Sequence, residues 1–302
     1  EPFRAAVKDR EASRGQPAAP ADLQFTLGRT WFGLACADLR RGADPAEGYR
    51  QSLSHLSPAI AEGASEIDAR VLRATIRLRL ADDARQRGQP PAEPLAAAQA
   101  DLEEVLRRAP DHRRARISLA LSRMVAADLL GAGGGDPREE YLRAEQELDD
   151  LVKGDPTAWR IRIQLGTCRI RRALAEQARG GDARAAYRAA LDDFSQAIAD
   201  QPQASAAYAE RGTAWLELGR VLAARREDAR MVLGQAIADL DAAQARDAAA
   251  LEPIVKRGYA HAELGKAEAA HGGDPREHYR RAADDLERVL RLKPDHREAW
   301  AS

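Results

Sequence analysis

Two histidines, an aspartate and a glutamate fall within nine residues in the stretch HGGDPREHY, from His271 to Tyr279. Imidazole and carboxylate groups at such close spacing can ligate a divalent metal ion. A Gly-Gly turn before a helix can instead cradle a phosphate with backbone N–H groups. Either site needs defined elements to hold these residues, so the surrounding pattern decides what the stretch does.

The stretch recurs along the chain with a period of 46 residues. Copies end at Tyr49, Tyr141, Tyr187 and Tyr279, and degenerate copies end at Leu95 and Leu233. A repeat of this length indicates a stack of similar units. Since the two histidines have no counterparts in the other copies, the repeat argues against a metal site.

Five of the six copies carry an aspartate at a helix start, and three of them carry the full signal of such a start. An aspartate at the N-cap, a proline in the first helical position and a glutamate three residues after the aspartate form the capping-box pattern. The aspartates are Asp44, Asp136, Asp182, Asp228 and Asp274, and the glutamates are Glu47, Glu139 and Glu277. The glycines before them end an earlier helix. The opening stretch is therefore predicted to cap a helix, each cap contributing about 1 kcal/mol.

The residues after each cap trace one face of a helix, with apolar columns at spacings of three and four. The first column is small (Ser52, Ala98, Ala144, Ala190, Ala236, Ala282), and the second is large (Leu56, Leu102, Leu148, Phe194, Leu240, Leu286). A column of Gly and Ala in the earlier helix predicts a close helix crossing (Gly28, Ala74, Ala120, Gly166, Gly212, Gly258). Each unit is predicted to be two antiparallel helices of roughly 16–20 residues.

This pattern resembles the tetratricopeptide repeat. The resemblance rests on Leu27-Gly28 with Trp31, on Arg211-Gly212 with Trp215, and on the segments 187–202 and 279–294, which match the second helix of that family. It covers about nine-tenths of the chain. The family's unit has about 34 residues; the 12 more here would lengthen the hairpin by roughly 8–11 Å.

The resemblance implies an all-α fold, a right-handed α-solenoid of six stacked helix-turn-helix repeats. The expected units are residues 21–66, 67–112, 113–158, 159–204, 205–250 and 251–296 of a solenoid over 21–298. Residues 1–20 are expected to be a linker or degenerate partial repeat. Residues 297–302 are expected to begin a further, truncated repeat, so the chain reads as an excerpt of a longer protein.

In such repeats the first helices line a concave groove that holds a partner peptide, which implies a protein-interaction scaffold. The predicted partner-binding residues are Arg79, Arg114, Leu121, Arg160, Gln164, Thr167, Arg171, Thr213, Glu217 and Tyr259. An acidic segment of the partner is expected near Arg160 and Arg171, because arginine binds carboxylates by paired hydrogen bonds.

Two further columns consist of arginine: Arg70, Arg116 and Arg162, and Arg77, Arg123 and Arg169. One interpretation is structural: their stems cover apolar surface and their heads reach acidic second helices, for instance Glu103, Glu147 and Asp193. The other is an arginine ladder that binds an anionic partner. The sequence leaves both open.

Composition narrows the function classes. The chain has 302 residues, of which 31% are charged and 5% aromatic, and a net charge of −1. This balance disfavours nucleic-acid binding, although RNA-binding helical repeats exist. Cys36 and Cys168 are expected to be free thiols in a cytoplasmic protein, and no segment predicts a membrane span.

No cofactor and no catalytic residue is predicted, since GAGGGD at 131–136 lacks a dinucleotide-binding context. The alternative function is a regulatory or substrate-recruiting arm of a larger bacterial signalling enzyme, such as a Ser/Thr kinase. Oligomeric state stays open.

Overall fold

A computed structural model describes residues 20–41, 43–63 and 65–292 of the chain. Every element in these ranges is an α-helix or a connection between helices. We number the helices α1 Ala21–Arg40, α2 Ala46–Ala61, α3 Glu66–Gln86, α4 Ala92–Arg108, α5 Arg113–Ala132, α6 Arg138–Gly154, α7 Trp159–Ala178, α8 Arg184–Asp200, α9 Ser205–Ala224, α10 Arg230–Arg246, α11 Glu252–Ala270 and α12 Arg276–Leu292.

The chain forms two compact units, Glu1–Ala126 and Ala127–Ser302, which divide within α5. In the first unit α1 packs on α2 and α3 packs on α4, and α2 also contacts α3. In the second unit the hairpins are α7–α8, α9–α10 and α11–α12, and α9 lies against both α7 and α11. Each unit is a stack of helical hairpins, so the predicted all-α helical-repeat fold is confirmed.

Small residues on the first helix let each hairpin close. A Cβ atom added to Gly166 would lie 2.6 Å from Cζ of Phe194, and one on Gly212 would lie 2.7 Å from Cγ of Leu240. The large column fills the space that these glycines leave, since Phe194 and Leu240 are both 0% exposed. The predicted close crossing and apolar columns are confirmed.

The aspartates cap the second helices as predicted. Oδ1 of Asp44, Asp136 and Asp274 accepts the backbone N–H two residues later, at 2.9, 3.1 and 3.1 Å. The glutamates behave differently from the predicted capping box. The Glu139 carboxylate accepts a hydrogen bond from Arg143, one turn along its own helix, because a guanidinium at this spacing is a stronger donor than a backbone amide.

Most first helices end on a glycine in the left-handed region, as at Gly134 (φ 81°), Gly180 (φ 78°) and Gly272 (φ 79°). In the fifth repeat Arg226 occupies this position with φ 60°. A side chain with a Cβ is strained there, whereas glycine is not.

No helix in the described ranges combines the length and apolar character needed to cross a membrane. The predicted partial repeat at 1–20, Pro20 apart, and the predicted start of a further repeat at 297–302 lie outside the described residues.

Candidate functional site

The first helices of the second unit lie side by side and present one polar face, which we call the first-helix face. On α7 it carries Arg160, Gln164, Thr167 and Arg171; on α9, Glu210, Thr213 and Glu217; on α11, Glu252, Lys256, Tyr259 and Glu263. Most of these side chains are half-buried, and Arg160 and Glu252 are exposed. The second unit thus brings the seven of its residues that were predicted from the sequence onto one surface.

The two predicted arginines of α7 differ in their surroundings. The guanidinium of Arg160 lies 4.1 Å from the ring centroid of Trp159, so an aromatic face orients it while it stays exposed to solvent. Nη1 of Arg171 donates to Oδ2 of Asp128 at 2.5 Å, and the hydroxyl of Tyr141 donates to the other oxygen of that carboxylate. Arg171 therefore already holds a carboxylate of its own chain.

Glu210 lies at the centre of the first-helix face. Burial raises the pKa of its carboxyl, and the nearby Glu252 raises it further, while Arg171, Thr167 and Lys256 oppose the shift. Its neighbours come from α7 and α11, so Glu210 is the point where three repeats meet. Glu210 was not among the predicted site residues, because only its neighbours on other helices make its ionisation unusual.

Acidic residues dominate the end of the face formed by α9 and α11. Glu217 accepts a hydrogen bond from Nη1 of Arg220 at 2.8 Å, and Nε of Arg220 lies 3.5 Å from Glu263 of the next repeat. The same guanidinium lies 5.9 Å from the ring centroid of Tyr259. Arg220 links two predicted site residues and was missed, because its own position in the repeat carries no signal. The hydroxyl of Thr213 donates to its own helix at Ala209.

The other predicted site residues lie in the first unit. Arg79 is exposed on α3, with its guanidinium 5.6 Å from the ring centroid of Phe32. Arg114 is exposed and Leu121 half-buried on α5. Arg79 lines a crevice of about 440 Å³ between the start of α2 and the following first helix. The first unit thus supplies an arginine beside a recessed space.

Buried aspartates on the second helices accept hydrogen bonds from many of the arginines. Asp101, Asp193, Asp239 and Asp285 recur at the repeat period and are 3–7% exposed. Nε and Nη2 of Arg73 bind the two oxygens of Asp101 at 2.8 and 2.6 Å, and Nη1 of Arg77 adds a bond of 2.6 Å. This recurring carboxylate was visible in the sequence at the period of 46 residues.

The donor changes position between repeats. Arg211 and Arg257 bind Asp239 and Asp285 from the position before the close-crossing glycine. In the fourth repeat that position is Leu165, and Arg169, one turn later, donates to Asp193 at 2.5 Å. Nη2 of Arg123 lies 3.9 Å from Glu103. The guanidinium groups of Arg77, Arg123 and Arg169 thus reach acidic residues of second helices, as the structural interpretation of this arginine column predicts.

The same guanidinium groups also reach the preceding second helix. Nη1 of Arg211 donates to Ser195 at 3.1 Å, and Nη1 of Arg73 lies 3.3 Å from the hydroxyl of Ser57. Each arginine thereby joins two consecutive second helices. Burial raises the pKa of the Asp193 carboxyl to about 6, although Arg169 opposes the shift.

The side chains of the stretch from His271 to Tyr279 contact separate partners. Asp274 caps α12 and binds Arg276, and Nδ1 of His271 lies 2.8 Å from the carbonyl oxygen of Ala267. Nδ1 of His278 lies 3.3 Å from Nδ1 of the buried His261. Throughout the described residues, no three His, Cys, Asp or Glu side chains are grouped so that they could hold a metal ion.

Both cysteines are free, as predicted. Cys168 is buried, and its thiol lies 3.4 Å from the carbonyl oxygen of Tyr141. Burial raises the pKa of this thiol to about 12, so it stays protonated and unreactive at neutral pH.

Comparison with known proteins identifies the fold. No protein-family model matches the chain, and no curated protein matches it. A tetratricopeptide repeat protein from Parabacteroides merdae ATCC 43184 is similar in structure, with a TM-score of 0.58 and 18% identity over 99% of this chain and 90% of that one. The nuclear import adaptor Nro1 of S. pombe aligns with a TM-score of 0.57 and 11% identity over 93% of this chain and 94% of its own. The fold of this chain is therefore a helical repeat of the tetratricopeptide type.

Proposed function

We propose that the chain is a protein-interaction scaffold and that a partner polypeptide lies along the first-helix face of the second unit. One observation carries the proposal: α7, α9 and α11 lie side by side with their apolar columns buried and a row of polar, partly exposed side chains left on one surface. A surface built from successive repeats suits an extended ligand better than a small molecule.

The charges on the face set the chemistry of the partner. Arg160 is the exposed cation of α7, and an acidic side chain of the partner fits beside it. Glu210 is a half-buried carboxyl with a raised pKa, next to Glu252. A lysine or arginine of the partner placed there offsets the cost of ionising Glu210. The partner is therefore a segment with acidic and basic residues several positions apart.

The test starts from peptides selected by display on the intact chain. Each selected peptide is titrated against the wild type and against an Arg160→Glu/Arg171→Glu variant. We expect the charge reversal to weaken binding by about tenfold or more. The matched control reverses two exposed arginines of second helices, Arg143→Glu/Arg188→Glu, and leaves affinity unchanged.

A second variant, Glu210→Gln, tests the basic end of the peptide and is expected to weaken only peptides that carry Lys or Arg. If the α7 reversal and its control have the same effect on every selected peptide, the first-helix face is not the binding surface.

A further inference from the structure

Two crevices of the same construction lie 92 residues apart, two repeats of 46 residues. The first crevice, in the first unit, has a volume of about 440 Å³ and is lined by Pro45, Tyr49 and Arg79. The second crevice, in the second unit, has a volume of about 530 Å³ and is lined by the equivalent Pro137, Tyr141 and Arg171. A residue that differs between the two crevices therefore indicates which ligand each crevice can bind.

In the second crevice the chain supplies its own carboxylate. Asp128 accepts hydrogen bonds from the hydroxyl of Tyr141 and, at 2.5 Å, from Nη1 of Arg171. The two donors reach different oxygens of one carboxylate, a geometry that discriminates carboxylate from single-atom acceptors. About 40% of the Asp128 side chain is exposed, so this carboxylate lies at the mouth of the crevice and is not deeply buried.

In the first unit the position equivalent to Asp128, 92 residues earlier, is occupied by Cys36. The two donors are retained: the Tyr49 ring stacks on Phe32 with centroids 6.3 Å apart, and the guanidinium of Arg79 lies 5.6 Å from the same Phe32 ring. Across the described part of the chain, neither the Arg79 guanidinium nor the Tyr49 hydroxyl is paired with a carboxylate. The first crevice thus keeps the donors and lacks the acceptor.

The acidic side chains that line the first crevice have other partners. Asp83 accepts a hydrogen bond from Nε of Arg87 at 3.0 Å, and Asp82 accepts one from Nη2 of Arg85 at 2.8 Å. Asp44 caps α2 through the backbone N–H of Ala46. Arg79 is consequently the cation that remains available in this space.

We propose that the first crevice binds an acidic side chain of a partner polypeptide, whose carboxylate takes the place that Asp128 occupies in the second crevice. The apolar side chains of Leu39 and Leu78 line the same space and fit an apolar neighbour of that acidic residue. Thr75 and Ser118 continue the lining onto α3 and α5, which are both first helices of their repeats. The class of the ligand, a polypeptide, rests on the proposed function.

The experiment uses isotope-labelled intact chain under reducing conditions, with the Nε resonance of Arg79 as the readout. The probe is acetyl-Leu-Glu-amide, and acetyl-Leu-Gln-amide is its uncharged match. We expect the Glu probe to shift the Arg79 signal in a saturable way and the Gln probe to bind about tenfold more weakly or not at all. Sodium acetate and sodium phosphate, added separately, report whether a free anion alone is sufficient.

Variants exchange the two crevices. Cys36→Asp installs the internal carboxylate, and we expect it to raise the melting temperature and to abolish the response of Arg79 to the Glu probe. Cys36→Ser is the uncharged control and leaves that response unchanged. Asp128→Cys frees the donors of the second crevice, and we expect the Glu probe then to shift the Arg171 signal as well.

Equal binding of the Glu and Gln probes, or undiminished binding to Cys36→Asp, overturns the proposal. Saturation by phosphate as tight as by the Glu probe overturns it too, because the site would then take any anion. These results do not bear on peptide binding to α7, α9 and α11, because that face is tested separately by the Arg160 and Arg171 variants. If no peptide binds to that face while Arg79 still responds to the Glu probe, the proposed function is wrong and the inference about the first crevice stands.

Discussion

Arg211 on α9 holds the buried carboxylate of Asp239 on α10 with two parallel hydrogen bonds, from Nε and Nη2, each 2.7 Å long. Its remaining nitrogen, Nη1, donates to Ser195 on α8. One guanidinium therefore joins three helices of consecutive repeats. Arg257 repeats the arrangement with Asp285 and Asp241, so the contact belongs to the repeat itself.

Removal of the acceptor tests this contact. In Asp239→Ala the half-buried Arg211 loses its paired acceptor, and we expect the free energy of unfolding to fall by about 3 kcal/mol, as measured by urea denaturation. The double variant Arg211→Leu/Asp239→Ala should recover most of that loss, because the other repeats show that leucine fits this position, as at Leu165. A double variant no more stable than the single one would refute the pairing as the cause.

The strained end of α9 offers a stabilising substitution. Arg226 has φ 60°, where four other repeats have glycine in the left-handed region. Arg226→Gly should raise the free energy of unfolding by about 1 kcal/mol, because the exposed side chain there makes no contact that outweighs the backbone strain. Gly180→Ala is the matched reverse and should lower it by a similar amount. If Arg226→Gly lowers the melting temperature and Gly180→Ala raises it, the turn is not strained.

The close crossing of α7 and α8 predicts a contrast between two Gly→Ala substitutions. At Gly166 a new Cβ would lie 2.6 Å from the buried ring of Phe194, so Gly166→Ala should cost about 1–3 kcal/mol. At Gly234, on α10, nothing lies within 4 Å, and Gly234→Ala should stabilise the helix by about 0.5–1 kcal/mol. Equal effects of the two substitutions on the urea midpoint would count against the packing described.

His261 makes the last hairpin sensitive to acid. Burial lowers its pKa from 6.5 to about 4, while Asp285 opposes the shift and His278, Arg281 and Arg257 add to it. Between these pH values the unfolded chain binds a proton that the folded chain does not, so stability is lost as the pH falls through this window.

We expect His261 to contribute a loss of about 2 kcal/mol in the free energy of unfolding between pH 7 and pH 5. We expect His261→Gln to show a shallower decrease in the free energy of unfolding over that range. The comparison is made by urea denaturation at both pH values. If the variant and the wild type decline in parallel, His261 does not cause the acid sensitivity.

Features that depend on residues close in sequence, or on the period of the repeat, were predictable. The caps at Asp44 and Asp274, the close crossing at Gly166 and the buried Phe194 all follow from local spacing and apolar periodicity. The reciprocal capping boxes were wrong in detail, because arginines one turn away compete for carboxylates such as that of Glu139. Local patterns thus predicted the helices better than they predicted the partners of individual side chains.

The candidate site shows more clearly what could not be predicted from the sequence. Arg171 was predicted to be a partner-binding residue, but the structure pairs it with Asp128, which lies 43 residues earlier, and no repeat signal joins the two. The buried aspartate column was readable at the repeat period, yet its donor differs between repeats: Arg211 lies directly before the crossing glycine, whereas in the fourth repeat Leu165 occupies that position and Arg169 donates. Such choices are made by packing between helices.

Arg77 and Arg169 occupy the same position of the repeat, and their substitution by leucine is the most direct test of the arginine–aspartate contacts. Asp101 keeps both bonds from Arg73 when Arg77 is removed, whereas Asp193 loses its bond from Arg169, the donor at 2.5 Å. We predict that Arg77→Leu changes the free energy of unfolding by less than about 1 kcal/mol and that Arg169→Leu lowers it by about 3 kcal/mol. Equal losses from the two variants would contradict the account.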